Sequence, residues 1–321
     1  LLVSVVLSVV FILFNAAEPH VSELRHLPGS HSYVNRLIFS TATPVPGILI
    51  LQLDQPMFFA NAEPMMKKAK ARNEQELFVV EGRKMFQEVP EEWLKQVYVS
   101  ESFFAENDKM LAGYTYEIVS DSVFKAVSDT QTPQGILCLV RKPQYRLEEL
   151  LKGADTHLLI LESIQDPGNL GTMLRTGEGA GISGVVMNHT TVDLFNPKTI
   201  RSTMGSIYRM PFFVTRDLAE TICELKNAGV KTYAAHLKGK MQYDEPDYTG
   251  ATAFMIGNEG NGLSDEIADL ADTYIKIPMC GQVESLNAAI SASLLMYETN
   301  RQRRIRSMSQ DRMSNIRKVE E

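Results

Sequence analysis

Ile277-Pro278-Met279-Cys280-Gly281-Gln282-Val283-Glu284-Ser285-Leu286-Asn287-Ala288-Ala289 is the stretch on which the reading of this 321-residue chain turns. A short apolar strand over 274–277 runs into a Pro/Gly loop, and that loop delivers a helix expected over 284–297. Leu286, Ile290 and Leu294 recur at helical spacing and give the helix one apolar stripe. Ala288, Ala289, Ser291, Ala292 and Ser293 keep its sides thin, so a second backbone can pack closely against it. Glu284, Ser285 and Asn287 stand where the first helical N–H groups have no intrahelical partner. Open α/β sheets bind ligands at such strand–loop–helix junctions. Taken alone, the stretch reads as an ordinary capped helix; two loops upstream change the balance.

The first loop is Gln165-Asp166-Pro167-Gly168-Asn169-Leu170-Gly171-Thr172-Met173-Leu174-Arg175-Thr176, which follows a strand expected over 157–162. Asp-Pro-Gly is a turn signal, Asn169 is the expected helix cap, Gly171 permits close backbone approach, and Arg175 projects from the helix. The second is Gly257-Asn258-Glu259-Gly260-Asn261-Gly262-Leu263-Ser264, after a strand over 252–256. Its glycines let main chain touch a ligand, and Glu259 sits between them at the strand's carboxyl edge. Neither spacing is GxGxxG or GxxxxGK[ST], and the run Gly177, Gly179, Gly181 falls at the far end of its helix. A dinucleotide-dependent dehydrogenase would need its glycine-rich turn early, with an acidic residue about 20 positions on, and is discounted.

Around these loops, strands and helices alternate from 157 to 304, which implies a parallel sheet covered on both faces. A smaller α/β unit spans 63–142, beginning with a polar or basic helix over 65–76 and ending with a strand over 136–140. Residues 143–156 read as a charged helical linker and 305–321 as a basic, polar tail. Residues 1–62 are left unassigned. Within them 1–14 are almost wholly apolar, too short for a comfortable span and without a basic flank. A signal core, a truncated anchor and an upstream-translation artefact stay open there, and no membrane role is expected.

With 44% hydrophobic and 22% charged residues the composition is that of a globular protein. Cys138, Cys223 and Cys280 form neither a disulfide framework nor a CxxC pair, and the six histidines show no ligand spacing. No metal and a reducing, cytoplasmic compartment are expected. A net charge of −7 weighs weakly against a nucleic-acid partner. Lys67, Lys68, Lys70 and Arg72 nevertheless cluster, as do Arg301, Arg303, Arg304 and Arg306.

In order and separation, the three loops resemble the SpoU/TrmH family of RNA ribose 2′-O-methyltransferases. Its motifs Asn-x-Gly-x-x-x-Arg, Gly-x-Glu-Gly-x-Gly-Leu and Ile-Pro-Met-x-Gly-x-x-x-Ser-Leu-Asn stand here as Asn169/Gly171/Arg175, Gly257/Glu259/Gly260/Gly262/Leu263 and Ile277/Pro278/Met279/Gly281/Ser285/Leu286/Asn287. Asn196-Pro197-Lys198 and Gly205-Ser206 also look like the family, and 77–82 with 132–140 look like its small L30e-like RNA-binding domain. The resemblance implies a trefoil-knotted α/β methyltransferase domain, a homodimer, and S-adenosyl-L-methionine as methyl donor. It implies donor binding at Gly257, Ile277, Met279, Leu286 and Ala235, with His236 a weaker candidate. RNA contact is expected at Lys67, Lys68, Lys70 and Arg72, with 301–306 extending that surface. The RNA is expected to be ribosomal, of the 23S type, with tRNA the second choice; a catalytically silent RNA-binding or assembly protein is the alternative. For catalysis the resemblance selects Arg175, Asn169, Glu259, Ser285 and Asn287. Arginine keeps its proton up to at least pH about 12, so Arg175 is expected to anchor phosphate and polarise the hydroxyl. Asn169 would position Arg175 or ribose, and Glu259, Ser285 and Asn287 would fix the site by hydrogen bonds.

Overall fold

The computed structural model describes residues 76–320 and three short strands before them, β1 (Val21–His26), β2 (Tyr33–Asn35) and β3 (Ile50–Leu53). These three pair antiparallel in the order β2-β1-β3, within a segment that has no sequence periodicity. The cluster Lys67, Lys68, Lys70, Arg72 and the helix expected over 65–76 lie outside the described residues, apart from Glu76, which is a turn.

The small unit comprises β4 (Leu77–Glu81), α1 (Arg83–Gln87), β5 (Leu94–Ser100), α2 (Glu101–Asn107), β6 (Tyr116–Val119), α3 (Asp121–Val127) and β7 (Ile136–Arg141). Its strand order is β4-β7-β5-β6, with β7 antiparallel to both neighbours and only β5/β6 parallel. The central position of β7 explains its unbroken run of buried residues from Ile136 to Val140. Edge strand β4 alternates, burying Phe78 and Val80. Serines start both longer helices: Ser100 Oγ accepts from Phe103 N at 3.2 Å and Ser120 Oγ from Val123 N at 3.4 Å. The expected helical linker shrinks to α4 (Leu147–Leu150), whose Leu147 and Leu150 are buried in the same apolar cluster as Leu158.

The larger unit runs β8 (His157–Leu161), α5 (Pro167–Ala180), β9 (Gly184–Asn188), α6 (Pro197–Thr203), β10 (Phe212–Thr215), α7 (Leu218–Asn227), β11 (Lys231–Ala235), β12 (Met241–Gln242), β13 (Thr252–Ile256), α8 (Asp265–Ala268), β14 (Thr273–Lys276) and α9 (Ala288–Glu320). All seven strands are parallel, in the order β10-β9-β8-β13-β11-β14-β12. Every residue of the central pair β8 and β13 is buried. Each large apolar side chain among them contributes roughly 1.5–3 kcal/mol. From β8 the chain crosses to β9 on one side, and from β13 to β14 on the other. The crevice at the carboxyl ends of β8 and β13 is thus a topological switch point, where doubly wound sheets hold ligands.

Helix α9 departs from expectation in two ways. It starts at Ala288, with 279–287 as loop. Its inward face is Ala288, Ala289, Ala292, Leu295, Met296 and Thr299, while Ile290, Leu294 and Tyr297 point outward at 51%, 37% and 49% exposure. The small residues pack because α9 lies close on α5 and β13. Further along α9, the Arg303 guanidinium donates to the carbonyls of Asp155 (2.8 Å), Thr156 (3.0 Å), Gly250 (2.8 Å) and Tyr248 (3.3 Å). Arg301 pairs with Glu298 at 2.7 Å. Two members of the basic cluster after the last loop therefore have partners within the chain, Arg303 on four main-chain carbonyls and the exposed Arg301 on Glu298.

The two units share one apolar core. Phe78, Met85 and Phe86 of the first pack in the same cluster as Ile207, Tyr208 and Phe212 of the second. Phe78 and Phe195 rings lie 4.8 Å apart, and the Tyr208 hydroxyl donates to the Met85 carbonyl at 3.2 Å. No helix among the described residues is long and apolar enough to cross a membrane.

Candidate active site

The first and second loops leave adjacent strands and are tied together at their bases. Glu162 accepts from Ser264 N (2.8 Å) and Ser264 Oγ (2.7 Å), and Asn258 Nδ2 donates to the Ser163 carbonyl at 2.9 Å. Asp166, rather than Asn169, caps α5: its Oδ1 accepts from Asn169 N at 2.8 Å, with Pro167 at the first helical position. Hydrogen bonding to Asn169 N and then to Lys198 holds the Asp166 carboxyl below its ordinary pKa. Asn169 is left free to face across the crevice. There the Glu259 carboxylate accepts from Asn169 Nδ2 (2.9 Å), Gln165 N (2.9 Å) and Asp166 N (3.0 Å). Burial pushes the Glu259 pKa up. The donors outweigh it, Asn169 foremost, and leave the group ionised below its ordinary range.

The third loop closes the chain of contacts. Asn287 Nδ2 donates to Asn169 Oδ1 at 2.9 Å, while Asn287 Oδ1 caps α9 by accepting from Ala289 N at 2.9 Å and Ile290 N at 3.3 Å. One relay, Glu259–Asn169–Asn287, therefore joins three loops, with 90 positions between Asn169 and Glu259 and 118 between Asn169 and Asn287. Gly171 carries the same helix into close packing, since a Cβ there would lie 2.4 Å from Ser202 Cβ and 2.7 Å from the Thr199 carbonyl oxygen.

Beside the relay, Gly257, Ala235 and Ile277 stand at the carboxyl ends of β13, β11 and β14, three neighbouring parallel strands. Met279 and Leu286 are half-buried in the loop that follows. Among the described residues, the main-chain N–H and C=O groups of 278–286 have no hydrogen-bond partner. They form a bank of donors and acceptors at the sheet's edge. Gly257 has no room for a side chain: a Cβ would meet Gly262 C and Leu263 N at 2.1 Å, where Asn258 and Gly262 close a two-bond bridge.

Residues 156–297 match the SpoU rRNA methylase family, and 64–138 match the MRM3-like substrate binding domain. The 23S rRNA (guanosine(2553)-2′-O)-methyltransferase RlmP of Bacillus subtilis is 35% identical over 230 residues, covering 71% of this chain and 90% of its own. This chain belongs to the SpoU family. Among solved structures, the AdoMet-bound rRNA methyltransferase from Sinorhizobium meliloti is 28% identical with a TM-score of 0.64, over 75% of this chain and 95% of that one. The SpoU methyltransferase AviRb from Streptomyces viridochromogenes, in complex with AdoMet, shares the fold at 24% identity and a TM-score of 0.67, over 73% and 93%.

Two residues of the SpoU motifs stand apart from the relay. Arg175 is exposed and makes no ion pair or hydrogen bond among the described residues; Ser285 is exposed and likewise unbonded. Arg175 follows Asn169 by six positions, about 9 Å along the helix and about 120° around it. It shares an outward stripe with Thr172 and Gly179. Sequence reasoning missed Glu162, Ser163 and Asp166. Only Asp166 carried a signal, the proline directly after it. It also missed a cleft of about 310 Å³ in the small unit, lined by Arg83, Ser102, Asp121, Lys125 and Gln134 among others.

Proposed function

We propose that this protein transfers the methyl group of S-adenosyl-L-methionine to a ribose 2′-hydroxyl of large-subunit ribosomal RNA. The Glu259–Asn169–Asn287 relay carries the reading, because it draws the three SpoU motifs into one crevice at the switch point. When bound, the donor supplies an already activated methyl group, so the protein's task is alignment, and the hydroxyl proton leaves to an RNA phosphate oxygen or to water. The unpaired main-chain groups of 278–286, with Gly257, Ala235, Ile277, Met279 and Leu286, fit a small ligand rich in hydrogen-bonding edges. Glu259 takes no proton in this scheme. Its two oxygens already accept from three donors, and it acts by holding the start of α5.

Arg175 anchors a phosphate of the RNA and polarises the hydroxyl, and it does so across a homodimer. What supports this is its place on an outward stripe beside another. The Tyr297 hydroxyl lies 3.1 Å from where a Gly179 Cβ would stand, and Ile290 and Leu294 continue that apolar face. A second copy seated there would bury the face and bring Arg175 to a neighbouring crevice. Ser285, from the third loop, would complete that composite site. The threading of a trefoil knot through 257–287 belongs to the same reading. Its support is close main-chain packing, with a Cβ on Gly239 falling 2.7 Å from Ile275 C. In this division of labour residues 63–142 select the RNA, 157–304 carry the chemistry, and the protein works in the cytoplasm.

The test is transfer of tritiated methyl from S-adenosylmethionine to purified 23S rRNA and to tRNA. Label at a 2′-oxygen of the ribosomal RNA is expected, and Arg175→Ala should abolish it while calorimetric donor affinity stays within about twofold. No label in either RNA refutes the activity. Loss of donor binding with normal residual turnover refutes the role of Arg175.

A further inference from the structure

Three residues after Arg175 on α5 sits Glu178, the position at which a helical carboxylate and arginine ordinarily pair. It is engaged elsewhere. Arg209 Nε and Nη2 both donate to Glu178, the latter at 3.2 Å, and Ser206 Oγ donates to its Oε2 at 2.5 Å. These contacts, Arg209 first, keep Glu178 ionised below its ordinary pKa. Arg209 is held in turn from the small unit, where Glu88 Oε2 accepts from its Nη1 at 2.8 Å. Gly205 leaves the room for that carboxylate: with φ at +97°, it would place a Cβ 2.1 Å from Glu88 Oε2. The Gly205-Ser206 pair, which the methyl-transfer scheme leaves unused, is accounted for by this cluster.

We infer that Arg209 is a positioning residue: with Glu88 of the small unit it holds Glu178 away from Arg175, so that docking of the RNA-selecting unit keeps the RNA-facing arginine unpaired. This inference rests on the proposed role of Arg175. Without Arg209, Glu178 loses its principal partner and turns to the arginine one helical step away. An exposed ion pair of that spacing is worth little, so capture is partial.

The experiment measures steady-state transfer to the same ribosomal RNA by the full chain. Arg209→Met should lower kcat by about two- to fivefold, with donor affinity unchanged. Adding Glu178→Gln in the same molecule should restore kcat, since a neutral amide does not capture the guanidinium. Should Arg209→Met fail to fold, Arg209→Lys, which keeps one cation in the cluster, should give a smaller fall that Glu178→Gln again relieves. Unchanged kcat in the Arg209 variant, or a loss that Glu178→Gln leaves in place, overturns the inference. If Arg175→Ala is inactive while Arg209→Met is normal, only the latch is lost. If Arg175→Ala turns over normally, the reading beneath it falls as well.

Discussion

Replacing Glu259 by glutamine isolates what its carboxylate does. The two oxygens accept from Asp166 N and Asn169 Nδ2 on one side and from Gln165 N on the other. Glutamine keeps the first pair through its carbonyl but turns an NH₂ toward the Gln165 N–H, donor against donor. A hydrogen bond to a charged group contributes about 1.5–3 kcal/mol when buried; Glu259 is largely exposed, which brings the loss to about 1–2 kcal/mol. For a unit of this size that lowers Tm by roughly 2–8 °C. If the loosened α5 start is felt in full at the transition state, kcat/KM falls about tenfold, the equivalent of about 1.4 kcal/mol. The pH signature separates this from a general base. The folded pKa lies below the ordinary value, so the stabilisation is present at neutral pH and is lost as pH falls through the folded value. Thermal melts of both proteins from pH 7 downward, beside transfer assays, make the comparison. A Tm within 1 °C of wild type at neutral pH, together with a transfer rate that has vanished, would refute the positional role in favour of a chemical one.

Two other perturbations test the frame that carries the site. His157 is 1% exposed with Nε2 unbonded, and burial, helped by Arg303, depresses its pKa to about 3. Between about pH 6.5 and that value the unfolded chain takes up a proton that the folded one refuses, so stability falls with falling pH. The loss amounts to about 2 kcal/mol from pH 7 to pH 5. Urea midpoints should show His157→Leu losing correspondingly less, and parallel pH profiles would contradict the assignment. Arg303→Met removes the guanidinium that four carbonyls share. It should cost about 2–3 kcal/mol in urea unfolding while leaving RNA affinity unchanged; weakened RNA binding at unaltered stability would return Arg303 to the RNA surface.

Much of the larger unit was legible in the sequence because its strands are short apolar runs separated by turn chemistry. The positions of β8 and β13 fall within a residue of expectation. The three loops were legible as one site through their resemblance, in order and separation, to the SpoU/TrmH motifs. What sequence reading missed was direction. Periodicity identified Ile290 and Leu294 as one stripe, yet a stripe facing solvent in one chain looks the same as a stripe facing a core; the alanine face decides. Caps slipped for a related reason. Asn169 and Asn287 are both good capping residues. Which asparagine caps and which reaches across depends on the neighbouring loop, and Asp166 had already taken the first duty. Arg303 read as a surface charge because its carbonyl partners lie about 50 and about 150 positions away. In the small unit the strand over 136–140 was legible as an apolar run; its antiparallel place between two neighbours was not, because strand order is set by contacts distant in sequence, and the two-residue strand β12 is too short to show a period.

The shared aromatic wall sets the terms for anyone wishing to retarget this enzyme by chimaera. Exchanging residues up to β7 for those of another family member would strand Phe195, Tyr208 and Phe212 against a foreign surface, and Arg209 opposite whatever replaces Glu88. The transplantable piece is consequently larger than its strand order implies: it must travel with the facing side chains, or be chosen from donors whose wall already has the same shape.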